Sequence, residues 1–165
     1  MSSPETPTRS AKDQQGIDPR SPRFGAGITA AVLLLTVFLG LAEGTTPAAT
    51  VLLAALALLF LWGAAAGIRR HPWGVLYRTL IRPRLKPPVH REDPTPPTFA
   101  QGVGFVITAL GVLLQLLGVP YAVAVGAALA FVAAFLNAVF GYCLGCQMYL
   151  VLVRTGIAGR GRAEA

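Results

Sequence analysis

The sequence predicts an all-α membrane protein, with four transmembrane helices in two tandem hairpins and short amphipathic helices at the membrane surface. Hydrophobic residues make up 54% of the 165 and charged residues only 13%, which is too apolar for a soluble domain. The charges are also segregated and leave long uncharged runs, whose length is close to the roughly 20 residues that cross a bilayer core. Four windows qualify: 24–42, 47–68, 102–119 and 121–142.

The first 17 residues form a predicted disordered tail, because their Ser, Pro, Thr, Gln and Asp content cannot bury a core. The residues before the first span contain no apolar stretch or cleavage site, so no secretory signal is predicted. A single membrane domain is expected over 18–157. A second short tail, over 158–165, follows it.

The net charge of +7 is placed unevenly along the chain. Lys and Arg precede the first span, lie between spans two and three, or follow span four. The short connections, 43–46 and the turn at Pro120, contain none. The positive-inside rule therefore predicts a multi-pass protein of the inner (plasma) membrane with both termini in the cytoplasm. The basic residues act as orientation signals and headgroup partners, and nucleic acid is not a predicted partner because no recognition motif accompanies them.

Each half of the domain opens with a similar Asp-Pro motif. Asp, Pro, Pro and Phe recur in register in 18–24 and 93–99. Asp can cap a helix and Pro suits its first turn. A similar basic segment follows the second span of each half. We therefore predict a duplication with half-repeats 18–84 and 93–160, related by an axis along the membrane normal. Convergence at membrane boundaries is the alternative.

An interfacial helix is predicted over 72–82, ahead of a Pro-rich linker. Its apolar residues recur at helical spacing, with arginines on the other side. They are Trp73, Leu76, Tyr77, Leu80 and Ile81.

Glycine pairs mark predicted contacts between spans two and four. Gly63 and Gly67 form one G-x-x-x-G motif, and Gly141 and Gly145 form another. A crossing there would place the two cysteines of the chain beside the basic residues after span two, although glycine is common in membrane helices in any case. Those basic residues are Arg69, Arg70 and His71. Such faces also leave room for a homo-oligomer.

Polar side chains within the spans are few. Asn137 and Gln115 must find partners in hydrocarbon, and we expect interhelical hydrogen bonds rather than substrate contacts. The spans contain no Asp, Glu, Lys, Arg or His, which counts against an ion-coupled transporter.

The cysteines, Cys143 and Cys146, form a C-x-x-C pair. Two thiols at this spacing can cycle between dithiol and disulfide without remodelling the backbone. In the reducing cytoplasm such a disulfide is transient. Gly145 eases the local bend that exchange requires. We therefore predict that the pair is catalytic in thiol-disulfide or sulfane-sulfur exchange, although the sequence leaves open whether the protein is an enzyme.

The position of the pair predicts which cysteine attacks. Residues 121–153 are nearly all apolar and would be about 50 Å long as one helix, so a break is expected within 141–145. Cys143 would then end span four, where the negative helix terminus disfavours a thiolate. Cys146 would meet the positive start of a second helix near Gln147. This geometry favours Cys146 as the more reactive thiol.

Two alternatives to redox chemistry stay open. Zinc wants four ligands, and two cysteines with two widely spaced histidines could supply them. The residues are Cys143, Cys146, His71 and His90. The signal is weak, so no metal or other cofactor is predicted. The cysteines could instead be small buried hydrophobes in a non-enzymatic membrane scaffold or a small-solute transporter subunit.

Three stretches carry a resemblance to a known family: 18–20, 96–101 and 136–146. They resemble the bacterial membrane family named domain of unknown function 4395, over about 16–157, and the Asn-Ala…C-x-G-C stretch is the most specific part. Thr98 stands where we expect an Arg. The resemblance implies a multi-span membrane protein with no assigned reaction. The family's genomic association implies a soluble thioredoxin-like protein or sulfurtransferase as partner.

Overall fold

A computed structural model describes residues 16–88 and 90–156 of the chain. The two predicted tails therefore lie outside the described residues, except for their edge at positions 16 and 17. Six α-helices were assigned, and no strand occurs in the described part. They are α1 (Arg20–Leu41), α2 (Thr46–Ala66), α3 (Pro72–Leu76), α4 (Thr95–Leu116), α5 (Ala122–Phe140) and α6 (Leu144–Arg154).

Helices α1, α2, α4 and α5 are each long and apolar enough to cross a membrane, which confirms the four predicted spans. The largest difference is at the start of α4, which begins at Thr95 although the predicted window begins at 102. Pro96 and Pro97 occupy its first turn, where the missing N–H groups have no intrahelical partner to lose. The helix therefore starts well before its apolar run.

Helix α1 packs mainly against α5, and α2 packs mainly against α4. Helix α4 also contacts α5. The core between them is aliphatic and tightly closed by small side chains. Its buried members are Leu33, Ala49, Leu53, Leu56, Val123, Ala127 and Ala130. The first hairpin thus packs against the second, and each span draws most of its contacts from the other half.

Large hydrophobic side chains cover the outside of the bundle. Phe38 is 63% exposed, Val51 71% and Leu116 72%. Exposed apolar surface on this scale is unfavourable in water and favourable in hydrocarbon. The chain is a multi-pass membrane protein.

The start of α1, the end of α2, the start of α4 and the end of α5 meet at one end of the bundle, which we call the basic end. Ile17, the last residue of the predicted tail, pairs with Glu92 through two backbone hydrogen bonds of 2.9 and 3.0 Å. This pairing joins the chain before α1 to the linker before α4.

The predicted interfacial helix is a composite of three types of helical turn. After α3 the chain forms a π-helical turn over Tyr77–Ile81 and a 3₁₀ turn over Arg82–Arg84. Tyr77 is only 1% exposed, whereas Leu80 is 50% exposed. The wider π turn shifts the register after Tyr77, so the predicted apolar face is buried only in its first part.

Candidate functional site

Span four ends at Phe140, and the chain turns before the cysteines. Gly141 has φ of 68°, a left-handed conformation that glycine adopts without the Cβ penalty. Its N–H donates to the Asn137 carbonyl at 3.1 Å. The chain then resumes as α6 from Leu144, so the predicted break is present.

The two cysteines lie in the first turn of α6 and form a disulfide. Cys143 is the N-cap residue, and its Sγ accepts a hydrogen bond from the Cys146 N–H at 3.3 Å. Their Cα atoms are 5.2 Å apart, and both side chains are partly exposed. The expectation that Cys143 ends span four is wrong, because α6 begins at Leu144 and not near Gln147. Cys143 therefore lies at the positive end of a helix.

Arg23 supplies a cation close to this turn. Its Nη2 donates to the carbonyls of Val139 at 3.2 Å and Ala138 at 3.4 Å, at the end of α5. A Cβ built on Gly141 would be 3.6 Å from its guanidinium carbon. The guanidinium thus offsets the negative end of α5 two residues before Cys143. Sequence analysis assigned Arg23 only to membrane orientation, since nothing in its local pattern indicates a contact more than 100 residues away.

Gly145 sets the packing of α6. A Cβ on this buried residue would lie 2.6 Å from the Cβ of Ala100, so α6 lies directly against α4. Gly63 in α2 instead faces the neighbouring residue Gln101, at 2.8 Å by the same measure. Helix α4 therefore lies between α2 and α6. The predicted G-x-x-x-G crossing of spans two and four is wrong, because α4 occupies the place expected for the partner glycines.

The basic residues after span two consequently lie on the other side of α4 from the cysteines. Arg69 and Arg70 are exposed, and His71 is 4% exposed. His71 Nδ1 accepts from the Trp73 N–H at 3.3 Å and caps α3. Burial lowers the pKa of His71, which favours the neutral ring. The described contacts give these three residues structural surroundings and no contact with the disulfide.

The two intramembrane amides differ. Gln115 Oε1 accepts from the Val123 N–H at 3.3 Å and joins the end of α4 to the start of α5, as predicted. The Asn137 side chain makes no hydrogen bond to the described residues, and only its backbone carbonyl takes part in the turn at Gly141.

The alternative zinc ligands are not brought together. Within 16–88 and 90–156, no group of three or more His, Cys, Asp or Glu side chains has metal-binding geometry. His90 lies 3.5 Å from Glu92, and His71 lies beyond α4 from the cysteines. The four side chains that could satisfy zinc arithmetically do not form one site.

An apolar groove of about 750 Å³ lies along α6 and α4. Phe99, Val103, Met148 and Tyr149 contribute to its lining. The Phe99 and Tyr149 rings are 5.6 Å apart and hold the middle of α6 against α4. The cysteine turn thus adjoins a surface suited to lipid chains.

Comparison with known proteins assigns the chain to a family. The family model described as Domain of unknown function (DUF4395) matches residues 17–154, and the chain belongs to this family. No curated protein and no solved structure matches the chain. The resemblance found in the sequence motifs is confirmed.

Proposed function

We propose that the chain is an inner-membrane thiol-disulfide exchange protein, whose Cys143–Cys146 pair exchanges electrons with a soluble thioredoxin-like protein. The observation that carries the proposal is the disulfide across the first turn of α6, with Cys143 at the N-cap. A disulfide closed across three residues at a helix start is accessible to an incoming thiolate and leaves one sulfur beside free backbone N–H groups.

Cys143 is the attacking cysteine in this proposal. An N-cap thiolate is stabilised by the helix dipole and by backbone N–H donors. The 3.3 Å contact between Cys143 Sγ and the Cys146 N–H supports this assignment. Arg23, bound to the end of α5, removes the negative charge that would oppose a thiolate there. The argument that favoured Cys146 from sequence now favours Cys143, because the helix starts earlier.

The exchange is balanced in atoms and electrons. In the dithiol form, the Cys143 thiolate attacks a disulfide of the partner, forms a mixed disulfide and expels one partner sulfur as thiolate. Cys146, once deprotonated, attacks Cys143 Sγ, closes the internal disulfide and releases the second partner thiolate. Two electrons pass to the partner, and its two thiolates take up the two protons. The reverse sequence oxidises a partner dithiol.

The placement of charge supports a cytoplasmic site. The cysteine turn lies at the basic end, beside Arg23 and before Arg154. By the positive-inside rule this end faces the cytoplasm, where a soluble thioredoxin-like partner is available and a disulfide turns over.

Single-cysteine variants test the proposal. Purified protein is reduced, and the reaction of Cys143 in Cys146→Ser with iodoacetamide is compared with that of Cys146 in Cys143→Ser at neutral pH. We expect Cys143 to react roughly 5-fold faster, the effect of about 1 kcal/mol from the helix terminus. Equal rates, or a faster Cys146, would reject Cys143 as the attacking thiol.

A second measurement separates exchange from a scaffold role. Oxidised wild-type protein is mixed with a reduced thioredoxin, and loss of the Cys143–Cys146 disulfide is followed by thiol labelling. The Cys146→Ser variant, activated as a mixed disulfide at Cys143, should pass that group to the thioredoxin. If glutathione at the same thiol concentration reduces the disulfide as fast as thioredoxin does, the proposed partner class is wrong.

We also infer that the halves 18–84 and 93–160 are repeats. Asp18 and Asp93 each accept from the backbone N–H two residues later, at 3.0 and 2.8 Å. Phe24 pairs with Tyr77 in the first half as Phe99 pairs with Tyr149 in the second, with centroids 5.8 and 5.6 Å apart. The main pairings, α1 with α5 and α4 with α2, exchange under the same two-fold relation. Equivalent partners in equivalent places support a common origin.

Sequences of other family members test the repeat. The two halves, aligned separately and then with each other, should place Phe24 on Phe99 and Tyr77 on Tyr149. A best alignment in another register would favour convergence.

A further inference from the structure

A cavity of about 200 Å³ lies at the basic end, in the first half of the chain. Its wall is made by the segment before α1, the turn after α2, the π-helical segment and the linker before α4. The charged and polar side chains in this wall are Asp18, Tyr77, Arg69, Arg78, Arg82 and Arg91. Four arginines and one carboxylate therefore share one small space.

Backbone contacts hold the cavity together. Ile17 pairs with Glu92, and Arg20 Nη2 donates to the Lys86 carbonyl at 3.0 Å. Arg91 Nη1 donates to the Gly16 carbonyl at 3.3 Å. Segments distant in sequence thus close around the space, and the cavity is formed before any ligand arrives.

The only carboxylate in the wall is already neutralised. Asp18 accepts two hydrogen bonds from the Arg20 guanidinium, at 3.0 and 2.9 Å. Tyr77 donates a third at 3.1 Å. Asp18 is therefore not available as a counter-ion for the four arginines in the wall, and the cavity has an excess of positive charge.

The arginines keep donors free for a ligand. Arg78 Nη1 donates to the Arg69 carbonyl at 2.7 Å, which fixes its guanidinium at the wall. A guanidinium carries five N–H donors, so one bond leaves most of them unused. The Arg69 and Arg82 side chains make no hydrogen bond or ion pair to residues 16–88 or 90–156.

We propose that this cavity binds a phosphate group. The fork of a guanidinium matches phosphate oxygens in a bidentate geometry, and several arginines together favour a multiply coordinated oxyanion over chloride. A volume of about 200 Å³ holds one phosphate group with a few waters, each water needing about 30 Å³. The group can come from the headgroup of an anionic lipid or from free phosphate. The site does not depend on the cysteine chemistry.

The experiment uses the full-length protein in phosphatidylcholine nanodiscs at constant ionic strength. Inorganic phosphate is titrated into one sample, and short-chain phosphatidylglycerol into another, with binding followed calorimetrically. Binding of phosphatidylglycerol alone identifies a lipid headgroup site, and binding of inorganic phosphate identifies a free-anion site. Absence of binding by both probes overturns the proposal.

Substitutions locate the site. Arg78→Gln and Arg91→Gln lie on separate segments of the wall, so one remains informative if the other fails to fold. Each should weaken binding about 10-fold, the loss expected for one charge-assisted hydrogen bond. Arg70→Gln removes the same charge from a residue next to Arg69 that does not line the cavity, and it should leave affinity unchanged. An equal loss in Arg70→Gln would show general surface charge instead of a site.

Discussion

The Tyr77 hydroxyl donates a hydrogen bond of 3.1 Å to the Asp18 carboxylate, across 59 positions of sequence. Tyr77 is 1% exposed and the Asp18 side chain 8% exposed. The bond fixes the π-helical segment to the start of α1. It also holds together the wall of the basic cavity.

Tyr77→Phe should destabilise the protein without disturbing its packing. The substitution removes only the hydroxyl and leaves a buried carboxylate short of one donor, which costs about 1.5 kcal/mol. The unfolding temperature in detergent should fall by roughly 4 °C, as measured by tryptophan fluorescence. Tyr149→Phe, in the corresponding place of the second half, is the matched comparison. A Tyr77→Phe protein as stable as wild type would contradict a structural role for the bond.

The same contact predicts a dependence on acid. Partial burial works to raise the pKa of Asp18, but hydrogen bonds from Arg20 and Tyr77 outweigh it and lower the pKa below 3.8. A carboxyl group with a lowered folded-state pKa stabilises the fold fully above its ordinary pKa. That contribution is lost as pH falls through the folded-state pKa. The stability difference between wild type and Asp18→Asn should therefore be constant from pH 7 to about 5 and shrink below about 3.8. A difference that shrinks already between pH 7 and 5 would rule out Asp18 as its source.

Gly145→Ala should loosen α6 from α4. The new Cβ would lie 2.6 Å from the Ala100 Cβ and 2.7 Å from its Cα, so one helix must move. Overpacking of this kind costs about 1–3 kcal/mol, seen as a lower unfolding temperature. Ala100→Gly in the same protein should restore stability. Gly102→Ala, whose nearest contact would be 4.0 Å, should be harmless. If Gly145→Ala and Gly102→Ala behave alike, the close contact between α4 and α6 is not present in the membrane.

Reporter fusions should show both termini on the cytoplasmic side. Fusions near Thr45 and Pro120 should read periplasmic, because the short connections carry no Lys or Arg. A fusion at Arg91 should read cytoplasmic. A periplasmic signal at Arg91 would place the cysteines on the oxidising side and change the direction of electron flow proposed for them.

Local pattern was sufficient for the elements of the fold. Four apolar runs, their charged flanks and the excess length of 121–153 predicted the spans and the break before α6. The Asp-Pro openings predicted where helices α1 and α4 begin, because capping and proline placement act over a single turn. Gln115 was predicted to bond between helices because an amide in hydrocarbon must find a partner.

The cysteine site was predicted in its residues but not in its geometry. The break was placed within 141–145, and a shift of a few residues in the start of α6 moved Cys143 from the expected helix end to a helix N-cap. Helix boundaries depend on the turn at Gly141, whose bonds reach back to the last turn of α5. Such a boundary is less certain in sequence than the existence of the helix.

The sequence by itself determined that the chain is a four-span membrane protein with its basic residues segregated and its cysteines at the end of the last span. These properties follow from hydropathy and spacing along the chain. Only the tertiary structure decided which helices touch. Small residues such as Gly63 and Gly145 allow close approach without specifying a partner, and the partner proved to be α4 for both. The same three-dimensional packing brought Arg23 to α5 and gathered four arginines around one cavity, since each contact joins segments distant in sequence.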